Sequence, residues 1–230
     1  MLIDHIGMIF FPKIIILRII GRLAMPLFAF FIAEGAYYTK NKIKYLLTIG
    51  ILGLGISLFL TFFNKELTIN ILVSFTLSLV MIFLFDGIRK YISLKNRKLS
   101  LLFTILFITY TSLLIIFMNY YYIEYRLYSV LLPFIMSLIQ SKYYKNNKPK
   151  SNLAKGLTFI FAYILCTFLS YYFMPINTSL DVQKYGIFAV FFILLYNNKR
   201  GKYNFKYLFY IFYPAHMIIL YAIYYILNLH

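Results

Sequence analysis

The chain has no tryptophan, one cysteine, six prolines, ten glycines and only six acidic residues among its 230. With a single thiol, Cys166 in the apolar run 159–170, disulfides and Cys-based metal sites are excluded within one chain, and a buried inert thiol accounts for it. So few glycines and prolines exclude a linker-rich or low-complexity protein, and there is no evident internal repeat. Glycine-rich phosphate loops and Ser–His–Asp signatures are missing too. No charged n-region or small-residue cleavage motif opens the chain, so no signal peptide is expected. The lack of tryptophan, beside abundant Lys, Asn, Ile and Tyr, is the bias of an AT-rich genome and points to a bacterium.

What is there is apolar. Hydrophobic residues make up 63% of the chain and the mean hydropathy is +0.80, where ordinary soluble domains hold roughly 45–50% apolar residues. No water-soluble fold of this size hides that much apolar surface. A single all-α domain over 1–230, a polytopic membrane helix bundle, is therefore expected.

The net charge of +17 would suggest nucleic acid in a soluble protein, but its distribution argues otherwise. Most of the 23 basic residues fall in four clusters: Lys40, Lys42 and Lys44; Arg89, Lys90, Lys95, Arg97 and Lys98; Lys142, Lys145, Lys148, Lys150 and Lys155; and Lys199, Arg200, Lys202 and Lys206. Between them lie connectors of little net charge, around Lys65-Glu66, Glu124-Arg126 and Asp181-Lys184. Alternation of basic and near-neutral loops is the positive-inside pattern, which puts the basic loops in the cytoplasm. A nucleic-acid partner is not expected, because no contiguous basic surface with groove-reading residues is present.

A spanning helix needs about 20 apolar residues. The runs Ile14–Tyr38, Ile43–Phe63, Thr68–Phe85, Leu99–Met118, Leu153–Met174 and Tyr207–Leu229 are suitable. Leu127–Gln140 and Tyr185–Tyr196 are shorter, yet the charge alternation requires each to cross; Tyr120–Tyr122 can extend the first, and the second reads as tilted or broken. Eight full spans are thus expected. The pairs Tyr37-Tyr38, Tyr143-Tyr144 and Tyr171-Tyr172 fall at expected membrane interfaces. Leu2–Phe11 is apolar but too short to span, and Ile14–Tyr38 must run from outside to inside. Residues 1–12 are then expected near the outer face, as the last turns of a helix whose first half is missing.

Ionisable groups crowd this first stretch: Asp4, His5, Arg18, Arg22 and Glu34. At the middle of a bilayer each costs roughly 2.5–3.5 kcal/mol on insertion scales, so such groups mark a site by default. Asp4 and His5 are neighbours, which a helix points about 100° apart, so each needs its own partner. His5 is either an interfacial histidine or a general base that takes a proton from an amine or hydroxyl. Arg18 and Arg22, spaced i,i+4, share one face and are the candidates to pair with Asp4 or hold a bound anion; snorkelling to the outer headgroups is the other reading. Glu34 lies one to two turns from the Lys40 cluster, where an interfacial ion pair competes with a functional role. His216 follows Pro214 in the last helix, which suggests a local opening of that helix; a core histidine bonded to Tyr213 or to backbone is the alternative. Asp86 beside Arg89 reads as a helix-terminal ion pair. The histidines lack the paired spacing of zinc sites, so no metal is expected.

These residues also carry a resemblance. Ile3-Asp4-His5-Ile6-Gly7, followed by Arg18-Ile-Ile-Gly21-Arg22-Leu-Ala-Met-Pro26 and on through Glu34-Gly35, resembles the TraX family, bacterial membrane proteins named for an F-pilin acetylase. Asn70-Ile71 with Phe75 through Asp86-Gly87, Tyr196-Asn-Asn-Lys-Arg200-Gly201, and Tyr210-Ile-Phe-Tyr-Pro214-Ala-His216 are similar to it as well. The family belongs to a wider group of transmembrane acyltransferases.

The resemblance implies acetyl transfer from cytoplasmic acetyl-CoA to an amine or hydroxyl of an exported, pilin-like peptide or a surface glycan. It implies His5 as the residue promoting transfer, with Asp4 beside it, and Arg18, Arg22, Glu34 and His216 as substrate- or cofactor-binding positions. Family members usually carry further residues before the Ile-Asp-His motif, which fits the half-helix expected there. A secondary transporter for a small anionic solute is the rival reading; it calls for repeated halves with matching broken helices. A non-enzymatic assembly or immunity protein would leave the buried charges without a purpose.

Overall fold

A computed structural model describes residues 1–65, 67–121, 123–139, 151–173, 182–197 and 206–228. Outside them lie Glu66, Tyr122, Lys142 to Lys150 with the Tyr143-Tyr144 pair, Asp181, Lys199, Arg200, Lys202 and His230. The described residues form helices α1 (Leu2–Ile9), α2 (Ile15–Gly21), α3 (Ala24–Tyr38), α4 (Lys42–Asn64), α5 (Ile71–Ser93), α6 (Arg97–Tyr120), α7 (Arg126–Leu138) and α8 (Asn152–Phe173). A 3-10 segment, Lys184–Ala189, then runs into α9 (Val190–Leu194), and α10 (Lys206–Asn228) follows. Among these residues the non-helical backbone pairing is an isolated bridge between Ile69 and Ile123. The helical class expected from the sequence holds.

Asparagine starts three of the long helices. Asn41, Asn70 and Asn96 each sit in extended backbone and accept from amides of the first turn of α4, α5 and α6, satisfying donors that a helix start leaves open.

Five stretches are long and apolar enough to cross a membrane: Ile15–Tyr38, Lys42–Phe63, Ile71–Ser93, Arg97–Tyr120 and Asn152–Tyr172. Arg126–Leu138, Lys184–Leu194 and Ile211–Leu227 are apolar but shorter. The eight expected full spans are therefore more than the described structure shows. At 1.5 Å per residue the 13 residues of α7 reach about 20 Å, short of a hydrocarbon core of about 30 Å. The second short run is broken, as its length suggested, by the change from 3-10 to α geometry at Val190.

Contacts divide the chain into two compact units, Met1–Leu27 with Ile176–His230, and Phe28–Pro175. In the second unit α5 is the hub, packed by α4, α6 and α7, with α8 on α7. α4 shows why. Leu47, Ile51, Leu54, Leu58 and Phe62, spaced three or four apart, are all exposed, while Ile49, Ile56, Ser57 and Leu60 on the other side are buried. An apolar stripe of that length facing outward belongs against lipid. On α6, also largely outward-facing, Thr104, Thr109 and Ser112 turn their hydroxyls back onto carbonyls of the preceding turn, as an apolar solvent demands. Across the unit, Lys42 pairs with Asp86 at 2.7 Å and Arg89 donates to the Leu138 carbonyl at the end of α7. Asp86 thus has a cation on a neighbouring helix, and Arg89 serves a helix terminus.

In the first unit α1 packs along α2 and against α10. The run expected as one helix from Ile14 is interrupted at Arg22-Leu23. Pro26 is the cause: without an N–H it cannot take up the Arg22 carbonyl four residues back, and its ring crowds that carbonyl. The amide of Leu23 closes instead onto Ile20, three residues back. α1 and α2 meet through two glycines. A Cβ on Gly7 would lie 2.8 Å from that of Leu17, and one on Gly21 would lie 2.6 Å from the Cα of Asp4. Small residues let helix backbones approach this closely. Gly21→Ala should therefore cost about 1–3 kcal/mol by overpacking, read as a lower thermal midpoint in detergent. Gly55→Ala, where a Cβ meets open space, should leave the midpoint unchanged or higher.

Candidate functional site

The first unit gathers five of the six singled-out residues into two adjacent constellations. Asp4 and His5 follow one another on α1 and are both buried, at 4% and 5% exposure. Because successive helix residues diverge by about 100°, they take different partners.

Asp4 takes both arginines. Its Oδ1 lies 3.4 Å from Nε of Arg18 and 3.9 Å from Nε of Arg22, and Arg18 also donates from a terminal nitrogen to the Asp4 backbone carbonyl at 3.5 Å. The i,i+4 spacing on the stretch entering from Ile15 brings the two guanidiniums to one carboxylate. The close approach permitted by Gly21 brings α1 within their reach. Arg22 is buried and Arg18 is part-exposed. One carboxylate between two guanidiniums leaves one net positive charge, a setting suited to an anion or to negative charge that develops in a reaction.

His5 takes His216. Their ring nitrogens, Nδ1 of His5 and Nε2 of His216, are 3.0 Å apart, a hydrogen-bond distance. The rings are inclined by 24° with centroids 5.2 Å apart. Nδ1 of His216 lies 2.7 Å from the Phe212 carbonyl one turn back on α10. The ring is flanked by Phe212 and Tyr213, with centroids 5.1 and 5.5 Å away. His216 is thus the backbone-bonded core histidine that the sequence left open, and it also holds a second histidine. The opening expected at Pro214 is not seen: α10 is continuous through it. Among the described residues no three of His, Cys, Asp and Glu gather as metal ligands would, so the 3.0 Å contact is read as a hydrogen bond.

Glu34 lies in the second unit. It is buried, and its Oε1 accepts from Nζ of Lys155 at 2.6 Å. An ion pair was one expectation for Glu34, but the expected cation was in the Lys40 cluster. The clustering of charge places Lys155 in the basic loop before α8, but it lies in the first turn of α8, fully buried, with its ammonium also 5.5 Å from the Phe30 ring centroid. A signal was present in the sequence, since Leu153 already begins the apolar run and Lys155 stands inside it. Among the described residues of this unit the exposed basic ones are Lys40, Lys44, Lys65, Lys90, Lys95, Arg97 and Lys98.

The sequence profile of the family described as "TraX protein" matches residues 1–224. An uncharacterized protein of Rickettsia prowazekii is 42% identical over 86 residues, which cover 37% of this chain and 33%, about a third, of that protein. The probable fimbrial assembly protein FimC, serogroup H1, of Dichelobacter nodosus is 25% identical over 236 aligned positions, covering 96% of this chain and 89% of that one. No solved structure matches the chain at a significant level.

Proposed function

The chain belongs to the TraX family, and from that premise we propose that it is a membrane-bound acetyltransferase. It moves an acetyl group from cytoplasmic acetyl-CoA to an amine or hydroxyl of an exported, pilin-like peptide or a surface glycan. The observation that carries the reading is His5: a buried imidazole fixed by a second imidazole, in the same unit as two guanidiniums gathered on one carboxylate. A relative described as a probable fimbrial assembly protein supports an acceptor among exported, pilus-related peptides.

In this reading His5 takes the proton from the acceptor as its nitrogen or oxygen attacks the thioester carbonyl. The carbonyl oxygen gains negative charge, which Arg18 and Arg22 offset. The carbon–sulfur bond then breaks, and the imidazolium returns its proton to the leaving thiolate. The products are the acetylated acceptor and free CoA thiol. An acetyl-His5 intermediate is the variant in which the imidazole itself attacks first. The exposed Lys and Arg side chains at the ends of α5 and α6 attract the phosphates of acetyl-CoA from the cytoplasmic side. In this reading the three shorter apolar stretches cross as well, for eight spans in a bacterial inner membrane, with His5 toward the outer face.

The test is reconstitution in lipid vesicles with acetyl-CoA labelled in its acetyl group and candidate peptide and glycan acceptors. Label appearing on an acceptor, or released as acetate, supports the enzyme. Label that stays entirely on CoA, together with uptake of a small anion independent of acetyl-CoA, would establish the transporter instead.

A further inference from the structure

We infer that His216 is a positioning residue that fixes the tautomer of His5, so that Nε2 of His5 is the nitrogen free to take the acceptor's proton; the inference rests on the acetyltransferase reading of His5.

The Phe212 carbonyl sets the direction of the whole chain of bonds. A carbonyl oxygen only accepts, so Nδ1 of His216, 2.7 Å away, carries a hydrogen. A neutral imidazole has one N–H, and Nε2 of His216 is therefore an acceptor. Nδ1 of His5, 3.0 Å from it, must then donate. That assigns the one hydrogen of neutral His5 to Nδ1 and leaves the lone pair on Nε2. The anchor is a backbone carbonyl, which can only accept. The flanking Phe212 and Tyr213 rings limit rotation of His216 out of this arrangement.

The chain of bonds also serves the charged stage. When Nε2 of His5 takes the acceptor's proton, its Nδ1–H still points at Nε2 of His216, and the far N–H of His216 still ends on a carbonyl. The imidazolium is thus hydrogen-bonded on its inner side, and the proton it gained remains at Nε2 for delivery to the thiolate. Had His216 carried its hydrogen on Nε2, His5 would present an N–H outward and could not act as a base without first shedding a proton.

Two readouts test this, and the first needs no activity. The chain has three histidines, so nitrogen NMR of the protein labelled at histidine gives three imidazoles, assigned with His216→Gln and His230→Gln. Nδ1 of His5 should appear protonated and Nε2 as a bare acceptor. A His5 protonated at Nε2 overturns the inference, whether or not the protein transfers acetyl groups. The second readout is kinetic. His216→Gln keeps a carbonyl toward His5 and an N–H toward Phe212, and should hold kcat within about tenfold of wild type. His216→Leu keeps neither and should lower kcat by about 10²–10⁴-fold, with KM for acetyl-CoA little changed. Equal losses in the two variants, with both folded, overturn the positioning role. A correct tautomer in a wild-type protein that transfers no acetyl group removes the enzymatic reading instead.

Discussion

His5→Ala should lower kcat/KM for acetyl transfer by about 10²–10⁴-fold, the contribution of a positioned general base, while leaving the protein folded. The loss should fall on kcat, because the imidazole is proposed to act on the moving proton and not on the bound donor. The stability loss should be moderate. The substitution truncates a buried side chain and leaves Nε2 of the buried His216 without this partner, at about 1–3 kcal/mol, while α1 stays packed through Gly7 against α2. Helical circular dichroism in detergent and the kinetics of labelled acetyl release together check the result. A folded His5→Ala protein with wild-type turnover would contradict it.

Lys155→Ala should be among the most damaging single changes to the second unit. Its ammonium is fully buried and meets the Glu34 carboxylate at 2.6 Å. Removing one partner of a buried pair costs about 3–5 kcal/mol, a large share of a typical folding free energy of about 5–15 kcal/mol. Replacing both partners, Glu34→Leu with Lys155→Met, should recover most of the loss, since well-packed apolar residues often substitute for a buried pair at no cost. Thermal midpoints of the single and double variants in detergent decide it; a loss below about 1 kcal/mol for Lys155→Ala would mark the pair as peripheral. The double variant also addresses the expected role of Glu34 in binding. Full acetyl transfer by a stable double variant would make Glu34 a structural residue.

The charged constellations were largely legible in the sequence because cost in an apolar setting singles out every ionisable group. Asp4, His5, Arg18 and Arg22 stood out for that reason, and helix geometry already required separate partners for the first two. The partner of His5 was not legible: His216 lies 211 positions away, and local spacing carries no information about which distant helix packs on α1. Clustered loop charge points Lys155 to the loop because the residue stands at a cluster's edge, although it also stands inside an apolar run. The interruption at Arg22-Leu23 follows from Pro26, a local rule applicable to the sequence. The number of full spans depended on loop charge, which gives sidedness but not the length of α7 or of the segment from Lys184 to Leu194. Gly7 and Gly21 stood in the motif without a reason, and the packing of α1 on α2 supplies one.

Whether His5 is the base of an acetyl transfer is decided by release of CoA thiol from acetyl-CoA by the purified protein in lipid, beside His5→Ala prepared identically. Thiol release by the wild type should rise with an added amine or hydroxyl acceptor and fall by about 10²-fold or more in the variant. Thiol release at the uncatalysed rate in both proteins, or at the same rate above it, would rule out His5 as the base.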